Sequence, residues 1–285
     1  MGLSTRAFCA APEMKPLARI VATPALWPLT ALIVLALVGP GLAPYNPLAT
    51  DVAHALSPPS FAHWFGTDQL GRDILSRVLA AGRLDLAIAF AAVALSAVVG
   101  VTIGALTGYL GGALDQIVGR LTDVLMAFPL FIVAMALVAA LGNTIANVVY
   151  ATAIINLPFY IRFARADVRT RRHAGYVGAA RLGGAGDMEI LFGTLAPALA
   201  PGLAVQMSIN LGWAVLNTAG LSFIGLGVRP PTPEWGALVG EGAQFALSGQ
   251  WWVAAWPSLA LVACVLAFSL AGDALRDAAD VRGRA

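Results

Sequence analysis

The sequence predicts an all-α membrane protein with six transmembrane helices, and three observations carry that prediction. Of 285 residues, 59% are apolar and 11% charged, against roughly a quarter charged in an ordinary soluble domain. The apolar residues gather into six charge-free runs, near 24–43, 86–107, 124–142, 144–161, 203–224 and 253–272, each close to the length of about 20 residues that a helix needs to cross a bilayer. Lys and Arg alternate in density between the segments that join these runs. Such a composition excludes a soluble enzyme and a disordered chain, and Cys9 and Cys264 are too isolated for a disulfide scaffold.

Residues 1–23 read as a cytoplasmic tail carrying Arg6, Lys15 and Arg19. The first run, 24–43, exceeds the 7 to 15 apolar residues typical of a secretory signal, so it reads as a retained helix. The segment 44–85 is too long to be a turn. It holds Pro44, Pro47, Pro58 and Pro59, then Ile74, Leu75, Val78 and Leu79 at helical spacing beside Arg72, Asp73 and Arg77, a pattern that describes an amphipathic helix lying on the membrane surface. Asp68 and Asp73 would cap its start, and Arg72 and Arg77 would anchor it at the headgroups.

Residues 86–272 hold a core of five further spans. Along the first of these, Gly100, Gly104 and Gly108 repeat every fourth residue and offer a face to which another helix can come close. Asp115, Arg120 and Asp123 stand at the mouth of the next, where Arg120 can pair with Asp123 at i,i+3, as a local surface pair or as part of a gate. Only Gly142 and Asn143 separate the third and fourth runs, which suits a tight turn. The segment 162–202 is long, rich in Arg, Gly and Ala, and too polar to cross; its glycines Gly183, Gly184 and Gly186 permit a reversal between two short helices, the second limited by Pro197. Residues 273–285 form a second cytoplasmic tail.

Orientation follows from the bias of Lys and Arg toward the cytoplasm. With the N-terminus inside, thirteen of the seventeen basic residues fall in inner segments and four, Arg72, Arg77, Arg83 and Arg229, in outer ones. Both termini are therefore expected in the cytoplasm. Trp235, Trp251, Trp252 and Trp256 surround the last outer loop, where amphipathic rings favour the headgroup layer.

The chain offers little chemistry of its own. Lys15 is the only lysine and precedes Pro16, so no phosphate-binding G-x-x-x-x-G-K-[ST] loop exists; if ATP drives this protein, another subunit binds it. His54, His63 and His173 are dispersed, and Ser96, Ser208 and Ser222 lack an evident base, which leaves no expected catalytic residue, cofactor or metal site. A net charge of +2 gives no reason to expect nucleic acid. Within the spans, Asn156, Gln206, Asn210 and Asn217 need partners or a watery cavity. Gln206, Asn210 and Asn217 share one helix face, either bonding across helices or lining a pathway.

One segment makes a family resemblance specific. Tyr176 to Pro197 resembles the E-A-A-x-x-x-G…I…L-P coupling loop of ABC importer permease subunits, with Ala179, Ala180, Gly184, Ile190 and Pro197 in register. Gly178 stands where that family usually has Glu, and Ala196 where Leu is common. Four further stretches are similar to the dipeptide, oligopeptide and nickel branch: Gly66 to Arg77, Gly108 to Pro129, Gly220 to Gly236, and Leu266 to Asp277. The resemblance implies a type I importer permease fold (MetI-like) in a bacterial inner membrane. It implies a second permease subunit, two ATPase subunits and an extracytoplasmic solute-binding protein as partners. It also implies that Tyr176, Gly178, Ala179, Ala180, Gly184, Ile190 and Pro197 form the surface an ATPase grips. Peptides are the expected cargo, with nickel chelates, opines, glutathione and some sugars carried by similar permeases. The alternative is a gradient-driven secondary transporter or channel; the six runs lack the intramembrane ionisable residue such proteins use, which favours an external motor.

Overall fold

The computed structural model describes residues 24–280, so Arg6, Cys9, Lys15, Arg19, Arg282 and Arg284 lie outside the described residues. A 3-10 turn at Pro24–Leu26 leads into α1, Trp27–Leu42, where Pro28 occupies the first turn and costs no helical hydrogen bond. Only Ala36 and Gly39 of α1 are buried, which makes it a peripheral helix resting on the start of α2 beside Leu79.

α2 runs without interruption from Ile74 to Leu110. At 1.5 Å per residue its 37 residues extend about 55 Å, well beyond a hydrocarbon core of about 30 Å. The separate surface helix expected before residue 86 is therefore absent. Its residues form the first turns of α2, and Ile74 and Val78 are buried in the protein rather than in headgroups. The amphipathic pattern is real, but the polar stripe has a protein partner. Asp73 caps α2 as the sequence suggests, its carboxylate accepting the Ser76 N–H at 2.8 Å.

The third apolar run is divided. α3, Gly112–Ala127, and α4, Leu130–Leu141, meet at a 90° bend. Pro129 lacks an N–H and drives Phe128 into extended backbone, so the helix cannot continue through it. Alone, α4 spans about 18 Å, too short to cross. Then follow α5, Ile145–Arg171, capped by Thr144 at the Asn147 N–H, and α6, Gly175–Leu182. A turn at Asp187–Glu189 and a π-helical segment at Ile190–Leu195 run straight into α7, Ala196–Phe223. Pro197 thus does not limit this helix. It lies in the first turn of α7, just after the wide π-helical turns, where the missing N–H is tolerated. α8, Trp235–Ala246, is capped by Glu234, and α9 spans Trp252–Asp280.

Among the described residues, five helical segments are long and apolar enough to cross a bilayer, and there are six if the bent α3–α4 pair counts as one span. The chain thereby acquires two ends: a loop end, with residues 43–73 and 224–251, and an arginine-rich end, with the α2–α3 turn and α6. α2 and α5 form the central contact. A Cβ on Gly100 would lie 2.6 Å from Tyr160 Cβ, one on Gly104 2.4 Å from the Ile161 carbonyl, and one on Gly108 2.6 Å from the Arg165 carbonyl. The three glycines are what lets the two backbones touch, as their spacing suggests.

Candidate coupling surface

At the arginine-rich end, α6 sits across the bundle on one buried side chain. Val177 packs with Tyr109, Ala164, Val168, Ile190 and Leu191 in a continuous apolar cluster. The residues around it point outward: Tyr176, Gly178, Ala179 and Met188 are exposed, and Leu182 is 93% exposed. Ala180 is half-buried against the cluster and Ile190 fully buried, whereas Pro197 is exposed on α7. The expected coupling residues thus divide into an outward face of Tyr176, Gly178 and Ala179 and a supporting base of Ala180 and Ile190.

The turn after α6 is a Schellman motif. Gly184, at φ +90°, donates its N–H to the Arg181 carbonyl at 3.1 Å, and Ala185 donates to the Ala180 carbonyl at 3.1 Å. Glycine fits the left-handed position without strain. Polar contacts finish the mount: the Tyr109 hydroxyl donates to Asp187 at 2.6 Å and accepts from Arg181 at 3.0 Å, while Arg171 pairs with Asp167 at 2.9 Å. Around Gly178 nothing lies within 4 Å of the place a Cβ would take.

The acid–base pairs near α3 differ from expectation. Asp123 pairs with Arg162 of α5 at 2.6 Å and not with Arg120, and Asp115 takes both nitrogens of Arg165. α3 lies beside the end of α5, whose Arg162 and Arg165 reach Asp123 and Asp115 from the facing helix.

In the interior, the three residues expected to share a pathway face have different partners. Gln206 donates to the Asn210 side chain at 3.1 Å, and Asn210 lies against the Tyr160 hydroxyl of α5. Asn217, two turns further on, is more exposed and donates to the Trp213 carbonyl of its own helix at 2.9 Å. Asn156 likewise bonds within its helix, to the Thr152 carbonyl at 2.8 Å.

The loop end contains a buried ion cluster whose full membership sequence reasoning missed. Arg72 and Arg77, 3% and 1% exposed, share Asp68 and also reach Glu241 of α8 at 3.0 and 2.8 Å. They are interior residues, not headgroup anchors. Nearby, the Trp235 N–H donates to Asp85 at 3.0 Å, and the Ala237 N–H donates to Glu234 at 2.7 Å. Burial pushes the Glu234 carboxyl above the usual carboxylate range, against the opposing pull of the Ala237 and Gly236 N–H groups. Spacing within one segment could signal Asp68, Arg72 and Arg77, but no local pattern links them to a residue some 165 positions later.

Comparison with known proteins fits this architecture. Residues 100–284 match the family model described as binding-protein-dependent transport system inner membrane component. The chain is 39% identical over 249 residues to the probable D,D-dipeptide transport system permease protein DdpC of Escherichia coli K12, covering 87% of this chain and 83% of the relative. It is 40% identical over 249 residues to the nickel transport system permease protein NikC of the same strain, covering 87% and 90%. To the glutathione transport system permease protein GsiD of Pectobacterium atrosepticum it is 43% identical over 222 residues, covering 78% and 73%. With its all-helical bundle and its apolar spans, this chain belongs to the binding-protein-dependent transport system inner membrane component family, as a permease of the peptide and nickel ABC importer group.

Proposed function

We propose that this chain is one of two related permease subunits of an ATP-driven importer, and that α6 is the surface through which an ATPase subunit moves it. One observation supports the reading above others: α6 rests on buried Val177 while Tyr176, Leu182 and Met188 stand exposed among the described residues. Two ATPase subunits would act from the cytoplasm, and a solute-binding protein would deliver cargo at the loop end. ATP binding would draw the two coupling helices together. Through the Schellman turn and the Tyr109 contacts, that motion would pass to α2 and α7, and α2, joined to α5 by the glycine seam, would carry α5 with it. The spans would rock between inward-open and outward-open arrangements.

The orientation belongs to this proposal: the arginine-rich end and both termini in the cytoplasm, following the bias of basic residues. Gln206 and Asn210 are proposed to line the pathway, with Asn217 nearer its loop end. Peptides are the proposed cargo class, since relatives are named for D,D-dipeptide, di- and tripeptide, glutathione and nickel transport. A cysteine at Leu182, the most exposed apolar position of α6, should cross-link to a co-expressed ATPase subunit, and uptake should stop on ATP depletion at constant membrane potential. Uptake that persists without ATP but follows the ion gradient would establish the secondary-transporter reading instead. Cleavage of Arg169 to Arg172 by protease added to intact cells would overturn the orientation.

A further inference from the structure

At the arginine-rich end, the turn between α2 and α3 and the last turns of α5 line an open cavity of about 330 Å³, bordered by Gly111, Gly112, Asp115, Arg165, Arg169 and Arg172. Its electrostatics are unbalanced. Three guanidinium groups face one carboxylate, which leaves an excess of two positive charges. Asp115 is already occupied, since Arg165 takes both of its oxygens. Arg172 is held in place by the Gly108 and Tyr109 carbonyls, to which its Nη1 donates at 3.2 and 3.1 Å. Arg169 has no hydrogen bond or ion pair among the described residues, though it lines the same cavity.

The start of α3 lines the same space. α3 is 16 residues long and starts at Gly112, and its N-cap, Gly111, has no side chain to satisfy the first N–H groups. Gly111 and Gly112 both have positive φ, +69° and +64°, and no atom lies within 4 Å of where a Gly112 Cβ would project. An uncapped helix start facing two uncompensated arginines is a site for a compact anion with several acceptor oxygens. Leu110, Leu114 and Ile117 stand exposed beside it, so an anion joined to an apolar tail would meet suitable surface.

We propose that this cavity binds a phosphate group, either the phosphodiester of an anionic phospholipid or free inorganic phosphate, with Arg169, Arg172 and the start of α3 as its ligands. Occupancy would tie the α2–α3 turn to the end of α5 immediately before α6, and so stiffen the base on which α6 sits. The site does not depend on what α6 docks against.

The test uses the permease purified together with its partner subunits, in three forms: wild type, Arg169→Gln and Arg169→Lys. Arg169 is exposed, so neither variant should disturb the fold, and matching melting temperatures in lipid-free, phosphate-free buffer check this. Native mass spectrometry after exchange into phosphatidylglycerol or phosphatidylcholine tests the lipid, and thermal stabilisation by inorganic phosphate tests the free anion. Wild type should hold phosphatidylglycerol or phosphate roughly tenfold more tightly than Arg169→Gln, with Arg169→Lys between them. A preference for phosphatidylglycerol without a response to inorganic phosphate assigns the lipid, and the reverse assigns the free anion. Equal retention and equal stabilisation in wild type and Arg169→Gln would overturn the site.

Discussion

The Tyr109 hydroxyl, at the end of α2, donates a 2.6 Å hydrogen bond to Asp187, which opens the helical segment leading into α7. Arg181 of α6 donates to the same oxygen at 3.0 Å, so one phenol joins three elements of the proposed coupling base. Tyr109→Phe keeps the ring in the Val177 cluster and removes only these bonds. Because Asp187 is well exposed, the loss should be about 1 kcal/mol, or roughly a fivefold weaker hold on the coupled arrangement. Uptake per ATP hydrolysed should fall in proteoliposomes with little change in melting temperature. An unchanged ratio would remove Tyr109 from the coupling path.

Two glycines of the coupling segment should respond in opposite ways. Gly184→Pro fixes φ near −65° where the turn needs +90° and deletes the N–H given to Arg181. It should abolish ATP-stimulated uptake while membrane insertion continues. Gly178→Ala enters open space on an exposed face and should stabilise α6 by about 1 kcal/mol. Gly178→Glu also projects into open space and should be equally well accommodated. ATPase co-purification reads both: lost or uncoupled with Gly184→Pro, retained or strengthened with Gly178→Glu.

How much of this was legible beforehand depends on how far apart the interacting residues lie. The glycine stripe at 100, 104 and 108 announced a helix contact because a four-residue repeat is local, and the two backbones do meet there. The Asp73 cap was readable for the same reason. The amphipathic stripe at residues 74–85 is plain in the sequence, but periodicity does not say whether lipid or protein covers it, and here protein does. Its partner, Glu241 on α8, is distant in sequence, so buried arginines looked like headgroup anchors. Pro129 was visible, but a charge-free run from 124 to 142 hides a 90° bend, since hydropathy carries no direction. In the proposed coupling segment, the split between exposed Tyr176 and buried Ile190 required the fold.

The glycine seam yields a direct stability test. Gly104→Leu would force a side chain into the Ile161 backbone, where even a Cβ would sit 2.4 Å from the carbonyl oxygen. Separating α2 from α5 should cost about 1 to 3 kcal/mol or more and lower the melting temperature of detergent-purified protein. Gly41→Ala, in open space on α1, is the matched control and should melt like wild type. Equal melting of the two variants would show that the α2–α5 contact yields easily.

The ion cluster at the loop end should be more sensitive to losing one member than to losing a matched pair. Arg77→Met leaves Asp68 and Glu241 with one fewer counter-charge in a largely dry site, at a cost of about 3 to 5 kcal/mol. Glu241→Gln should cost less because Glu241, at 13% exposure, is the least buried member of the cluster. Combining the two changes should cost less than their sum, a coupling that a double-mutant cycle of melting curves measures directly. Strict additivity would mean that Arg77 is held by Asp68 alone.

Glu234 sets a pH dependence whose sign is fixed by its surroundings. Its carboxyl is 1% exposed and lies beside Asp85, and burial raises its folded-state pKa above the ordinary carboxylate range. The folded protein therefore holds a proton that the unfolded chain has already released. Stability from this group is whole at or below the ordinary range, declines as pH rises through the folded-state value, and then levels off. While it declines, the slope can reach about 1.4 kcal/mol per pH unit. Glu234→Gln keeps an oxygen to accept the Ala237 N–H, which the carboxylate does at 2.7 Å, but has no proton to lose. Wild type should thus lose melting temperature on moving from about pH 5 to about pH 8, and Glu234→Gln should lose less. Tryptophan fluorescence is a convenient readout, because Trp235 is the next residue and is buried. Parallel curves for the two proteins would place the titrating group elsewhere.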